Sequence, residues 1–402
     1  MKNTRIWLLS GLVLLLIGGV IFFLFFWKAT LSVSPTPAEA QVSVGDALGI
    51  GSLTTKLSPG ESKVMVSLLG YLPYTQILEL KTNEKRSLEI ELRKLPIPQE
   101  LIGDRIQYLA LDAERESLLY LNGGTKTIER LFLENLLEPR HDSITPARFG
   151  GITEFVWSPN RQLAFFREGD ALKQYDFHRY DLTNQTTKDW PTGIGSIDWR
   201  PDGEKVAYYY EPGGGEKSLI RANKDNGELE RIFNFQSTDI SNPTLFWSPD
   251  GKKIAILTQK LYIFDVFSKS LAELQTNGSV KEARWLPTSD RLLYQENNGR
   301  LTVINLENQR TELSLNGSVA DCAFFADGSA LVHASGSGQI AEFIKVAFDN
   351  SVQTPYLFDA AITELAPTNL LLAPDEKTLF FTSNGKLYAL ALDDGIYASG
   401  GQ

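Results

Sequence analysis

One short theme recurs along the chain and limits its fold more than any other feature: an aromatic residue followed by Ser-Pro-Asp-Gly or a near copy. Clear copies are Trp157-Ser158-Pro159-Asn160, Trp199-Arg200-Pro201-Asp202-Gly203, Trp247-Ser248-Pro249-Asp250-Gly251 and Trp285-Leu286-Pro287-Thr288-Ser289. Weaker copies are Phe324-Phe325-Ala326-Asp327-Gly328 and Leu372-Ala373-Pro374-Asp375-Glu376, and a degenerate one is Leu111-Asp112-Ala113-Glu114-Arg115. Successive copies lie 46, 42, 48, 38, 39 and 48 residues apart. That spacing suits one four-stranded propeller blade per copy. Pro-Asp-Gly is a turn with a mechanism, because proline presets φ, aspartate bonds its own backbone and glycine accepts positive φ.

An apolar strand follows each clear copy, as in Leu163-Ala164-Phe165-Phe166, Val206-Ala207-Tyr208-Tyr209 and Ile254-Ala255-Ile256-Leu257. A second strand then recurs in the same order, as in Leu261-Tyr262-Ile263-Phe264-Asp265 and Leu301-Thr302-Val303-Ile304-Asn305. The fold class expected is therefore all-β, with a β-propeller over 96–393 and a flexible tail at 394–402. Seven anchors predict seven blades, with six or eight as the alternatives. Only two strands follow the last anchor, so residues near Leu101 to Leu111 are expected to complete its blade and close the ring. The repeats resemble the propeller repeat of TolB-like and WD-repeat-like proteins over roughly residues 100 to 393, and that resemblance implies protein binding by analogy of fold.

Residues 6–27, Ile6 through Trp27, contain no charged side chain. A helix of that length reaches roughly 33 Å, enough for a bilayer core of about 30 Å. Lys2 and Arg5 precede it and only Lys28 follows closely, so the positive-inside bias predicts a cytoplasmic tip and a transmembrane anchor over 1–28, with the bulk extracytoplasmic, periplasmic or at the cell surface. The lipid bilayer is thus one expected partner, through residues 6–27.

Beyond this stretch, short alternating apolar runs separated by Pro, Gly and Ser clusters predict a small β domain over 29–95. It ends at Arg93-Lys94-Leu95-Pro96-Ile97-Pro98, where two prolines favour an extended linker. Ser34-Pro35-Thr36-Pro37-Ala38-Glu39-Ala40, Leu57-Ser58-Pro59-Gly60-Glu61 and Leu69-Gly70-Tyr71-Leu72-Pro73-Tyr74 resemble the PEGA domain. The naming tetrad departs from the family, with Pro37-Ala38-Glu39-Ala40 where Pro-Glu-Gly-Ala is expected. The resemblance implies a small β-sandwich common in cell-envelope proteins and no catalytic residues. Tyr71 and Tyr74 read as core and turn packing.

Chemistry is sparse. The formal net charge is -10, and 29 basic residues face 41 acidic ones from position 101 onward, which argues against nucleic acid as a partner. Cys322 is the only cysteine and sits in a strand-like stretch, so it reads as a buried filler. His141, His178 and His333 are far apart and read as surface or packing residues, with no metal-ligand spacing. No catalytic motif appears, and Gly213-Gly214-Gly215 and Gly336-Ser337-Gly338 read as turns. No catalytic, cofactor, metal or binding residue is singled out, and no cofactor is expected.

The expected function is a membrane-anchored, extracytoplasmic binding or scaffolding protein of the cell envelope, non-catalytic, whose propeller face takes a protein or glycan partner. The alternative is a propeller hydrolase or lyase acting on an extracytoplasmic polymer or peptide, with carboxylates drawn from different blades.

Overall fold

The computed structural model describes residues 27–103, 105–145, 149–176, 187–335, 342–349, 352–359 and 365–392. The chain divides into two compact units, Met1–Ile97 with Leu357–Ala361 and Pro98–Tyr356 with Ile362–Gln402.

The first unit is a two-sheet β structure. Its strands are β1 (Ala29–Thr36), β2 (Gln41–Val44), β3 (Ala47–Ile50), β4 (Leu53–Leu57), β5 (Gly60–Ser67), β6 (Tyr74–Leu80) and β7 (Lys85–Glu91). One sheet runs β4-β1-β7 and the other β3-β2-β5-β6, with β1 and β7 parallel. Strict alternation explains the packing: Leu31, Val33, Val42, Val44, Val64 and Val66 all turn into one core, while their sequence neighbours face outward. Tyr71 and Tyr74 pack against that core.

A short strand, β8 (Gln99–Ile102), precedes seven four-stranded antiparallel sheets. Numbered as blades 1 to 7, they begin with the strands Ile106–Asp112, Ile152–Trp157, Ile194–Trp199, Thr244–Trp247, Val280–Trp285, Cys322–Phe324 and Pro367–Leu372. Blade 7 supplies only three strands of its own, and β8 is its fourth, with Leu387 opposite Ile102, Tyr388 opposite Glu100 and Ala389 opposite Gln99. The ladder joining the two ends of the array is made by Gln99–Ile102, and the Ile106 N–H adds a bond to the Gly385 carbonyl at 2.8 Å. The expected run to Leu111 is two strands, because Gly103-Asp104-Arg105 interrupts its apolar pattern, and Ile106–Asp112 opens blade 1 instead.

The recurring turns share one geometry. In blades 2 to 7 the fifth anchor residue has positive φ and donates its N–H to the carbonyl of the second: Arg161 to Ser158, Gly203 to Arg200, Gly251 to Ser248, Ser289 to Leu286, Gly328 to Phe325 and Glu376 to Ala373. In five blades the fourth residue caps the turn with its own side chain, Asn160, Asp202, Asp250, Asp327 and Asp375 each accepting from the N–H two residues on.

The second strand of each blade carries a continuous apolar run because both of its faces are covered there. Val206 and Tyr208 turn toward blade 2, where they meet Phe165 and Leu172, whereas Ala207 and Tyr209 turn toward blade 4 and meet Trp247, Ile254 and Phe264. Ile254 and Ile256 share that second cluster, while Ala255 and Leu257 join Trp285 and Leu292 of blade 5. The core is thus divided into wedges between blades, as a ring of radial sheets requires.

The expected membrane helix over residues 6–27 is corrected. Among the described residues no helix is long and apolar enough to cross a membrane. The helices described are two three-residue 3-10 turns, Ala113–Arg115 and Val319–Asp321. Trp27, its predicted last residue, stands in a bend, and from Ala29 onward the apolar side chains are drawn into the sandwich core. The fold class is therefore described as a β-sandwich followed by a seven-bladed propeller, without the transmembrane helix. Residues 1–26 of the expected anchor, His178, Gly336-Ser337-Gly338 and the tail at 394–402 lie outside the described residues.

Candidate functional site

A cavity of about 990 Å³ opens within the propeller where the first strands of the blades end. Six blades contribute to it, each through the residue just before its anchor: Ala110, Val156, Phe246, Arg284, Ala323 and Leu371. Trp157, Trp247 and Trp285 with Pro159, Pro249 and Pro287 form its wall at the turns, so this mouth belongs to the face carrying the anchor turns. The first strands are thereby the inner ones, and the repeat that builds the fold also builds the cavity.

The tryptophans join neighbouring blades. Trp157 Nε1 donates to the Tyr108 carbonyl at 2.8 Å, Trp199 Nε1 to Val156 at 3.3 Å and Trp285 Nε1 to Phe246 at 3.0 Å, each acceptor lying on the preceding blade. Trp247 is the exception, since its buried Nε1 has no hydrogen-bond partner. Instead its backbone N–H donates to the Asp198 carboxylate at 2.7 Å. An unmade buried bond costs more than a made one contributes. Trp285→Phe should therefore lose about 1 kcal/mol beyond its packing change, whereas Trp247→Phe should be close to neutral. Paired urea denaturation curves check this, and equal losses in both variants would refute the assignment.

Charged groups at the cavity differ in how fully they are engaged. Arg161 is held by two carbonyls, Nε donating to Leu111 and Nη1 to Ser158, both at 2.9 Å. Asp112 is paired with Arg115 at 3.1 Å and Arg130 at 3.6 Å. Arg284 makes one long bond, Nη1 to the Cys322 carbonyl at 3.3 Å, and its guanidinium lies 5.0 Å from the Phe324 ring centre. Its side chain is exposed at the cavity wall, and the desolvation that neighbouring protein atoms still impose lowers its pKa. Among the described residues, Asp112 and Glu114, from one loop of blade 1, are the only acidic ones lining the cavity.

Asp198 of blade 3 holds the position that Arg284 holds in blade 5, but its side chain is engaged by blade 4. Desolvation by burial raises its pKa to about 7, against the pull of the Trp247 and Trp199 N–H groups. Cys322 is buried and desolvation raises its pKa further, as expected for a filler. His333 is buried opposite Cys322 and its pKa is lowered by desolvation, so it packs as the neutral ring. His141 is exposed on the outermost strand of blade 1. Among the described residues no group of three or more His, Cys, Asp or Glu could hold a metal ion. Gly213-Gly214-Gly215 lies in a hairpin turn in which Gly213 pairs with Glu216. Reading motifs along the chain missed Arg284 and Asp198. The signal that finds them is a comparison of one column across the anchors.

Comparison with known proteins places residues 28–96 in the PEGA domain family. No curated protein matches the sequence. Similar solved structures include the β-propeller domain of Cps50 (Swd1) from Myceliophteria thermophila, at 12% identity over 73% of this chain and 98% of that one, with a TM-score of 0.54. An oligogalacturonate lyase in complex with manganese is similar at 15% identity over 75% of this chain and 92% of that one, with a TM-score of 0.51. At these identities the likeness shows the fold alone. The second unit is a β-propeller, and the propellers it resembles include one named as an enzyme.

Proposed function

We propose that this chain is a non-catalytic binding or scaffolding protein of the cell envelope, and that its propeller receives a protein partner at the cavity formed by the anchor turns. The observation that carries this reading is the composition of that cavity. Aromatic and proline side chains from several blades form a broad, preformed apolar wall, and the acidic residues come from a single loop instead of converging from opposite sides. A wall of this kind suits burial of a partner's apolar segment. A glycosidase-like pair would need two carboxylates facing each other across a substrate. The envelope setting rests on the PEGA match and on what that resemblance implies.

Crosslinking and capture with the full chain test the reading. A specific partner should be enriched by the native protein and lost with Phe155→Arg or Phe324→Arg, which place charge on the cavity wall. Capture of the same partner by both variants would remove the cavity from the proposal. Cleavage of the captured peptide or polymer would move the chain to the enzyme class.

A further inference from the structure

We propose that Arg284 gives the cavity its specificity by binding a carboxylate carried on an otherwise apolar peptide segment. This rests on the proposed binding role and adds the chemistry of what is bound.

The repeat itself supplies the control. At the column before each anchor five of the seven blades carry Ala110, Val156, Phe246, Ala323 or Leu371, so the inner strand needs no charge there. Asp198 is the sixth, and its carboxylate is occupied by the Trp247 N–H of the next blade. Arg284 is the seventh, and its hold on the next blade is limited to one long hydrogen bond and a ring contact. Guanidinium carries five N–H donors. One of them reaches the Cys322 carbonyl at 3.3 Å, and among the described residues no carboxylate lies within ion-pair distance. The contrast with Arg161 is direct, since two carbonyls at 2.9 Å fix that side chain as a clasp between blades 1 and 2.

An exposed guanidinium at the cavity wall, with one long hydrogen bond and no counter-charge beside it, has donors left for an incoming anion. Carboxylate matches the guanidinium fork in two parallel hydrogen bonds, which gives direction as well as attraction. The rest of the ligand is set by the wall. Phe246, Phe324, Trp247 and Trp285 line the same cavity with apolar and aromatic surface. The net charge of -10 repels a segment rich in acidic residues. The segment that fits has a single carboxylate, terminal or on one side chain, flanked by apolar residues.

The probe is N-acetyl-Ala-Ala-Phe as the free acid, compared with its C-terminal amide. Binding to the full chain is followed by calorimetry and by the fluorescence of the tryptophans in the wall. The acid should bind about tenfold or more tightly than the amide, the scale of one charge-assisted pair. Arg284→Leu, which installs the residue of blade 7, should abolish the preference while leaving the unfolding midpoint near that of the native protein. Arg284→Lys should keep a reduced preference, and it carries the test if the leucine variant fails to fold. Equal binding of acid and amide, no binding of either, or a preference that survives Arg284→Leu would overturn the proposal. If partner capture is still lost with Phe155→Arg and Phe324→Arg, only the carboxylate chemistry falls. If those variants also capture the partner, the cavity itself is not the binding face.

Discussion

Replacing Leu101 and Ile102 together by alanine is expected to cost about 4–8 kcal/mol and to open the ring. Truncating one buried Leu or Ile typically costs about 2–5 kcal/mol, and neighbouring sites do not add simply. Both side chains are nearly buried in a cluster that also contains Leu118 and Tyr120 of blade 1 and Phe380 and Leu387 of blade 7. They are therefore part of the contact at which the last blade meets the first. Losing β8 also frees the edge of strand Lys386–Ala391, and an unpaired edge is a template for another chain. The variant should unfold at lower urea concentration and self-associate in sedimentation velocity. Leu271→Ala is the control: it lies on the outermost strand of blade 4, away from any closure, and should cost only about 1 kcal/mol. A double variant that stays monomeric, with a midpoint no lower than that of Leu271→Ala, would show that the ring does not depend on this strand.

The propeller could be read through damaged copies of its motif because the turn is held by more than its residues. Arg161, Ser289 and Glu376 stand where glycine is expected, yet each keeps positive φ and the same backbone hydrogen bond. Left-handed backbone costs a non-glycine residue roughly 1 kcal/mol, small beside the apolar wedges that flank every blade. Blade 1 shows where degeneracy begins to matter. With neither proline nor glycine in Leu111-Asp112-Ala113-Glu114-Arg115, a 3-10 turn forms and the positive φ moves to Glu116. The site was less legible for a reason of the same kind. Six of the seven blades give the cavity one residue from the pre-anchor column, so chemistry that is adjacent in space is dispersed along the chain at intervals of about 40 residues or more. No local motif can hold it.

Asp198 ties stability to pH in a direction opposite to that of an ordinary salt-bridged carboxylate. Its folded pKa, about 7, lies above the ordinary 3.8 because burial disfavours the charged form. Below about pH 4 the group is protonated in both states and carries no penalty. Between about pH 4 and 7 the unfolded chain releases the proton while the folded chain keeps it, so stability falls as pH rises. The full gap corresponds to roughly 4 kcal/mol, and partial access to solvent reduces the expected effect to about 2–4 kcal/mol. Asp198→Asn keeps an oxygen for the Trp247 N–H and removes the titration. The variant should match the native protein near pH 4 and exceed it by about 2 kcal/mol or more at pH 8 in urea unfolding. Parallel pH profiles would mean that Asp198 is ionised in the folded ring, and that the junction of blades 3 and 4 holds a charge it was expected to exclude.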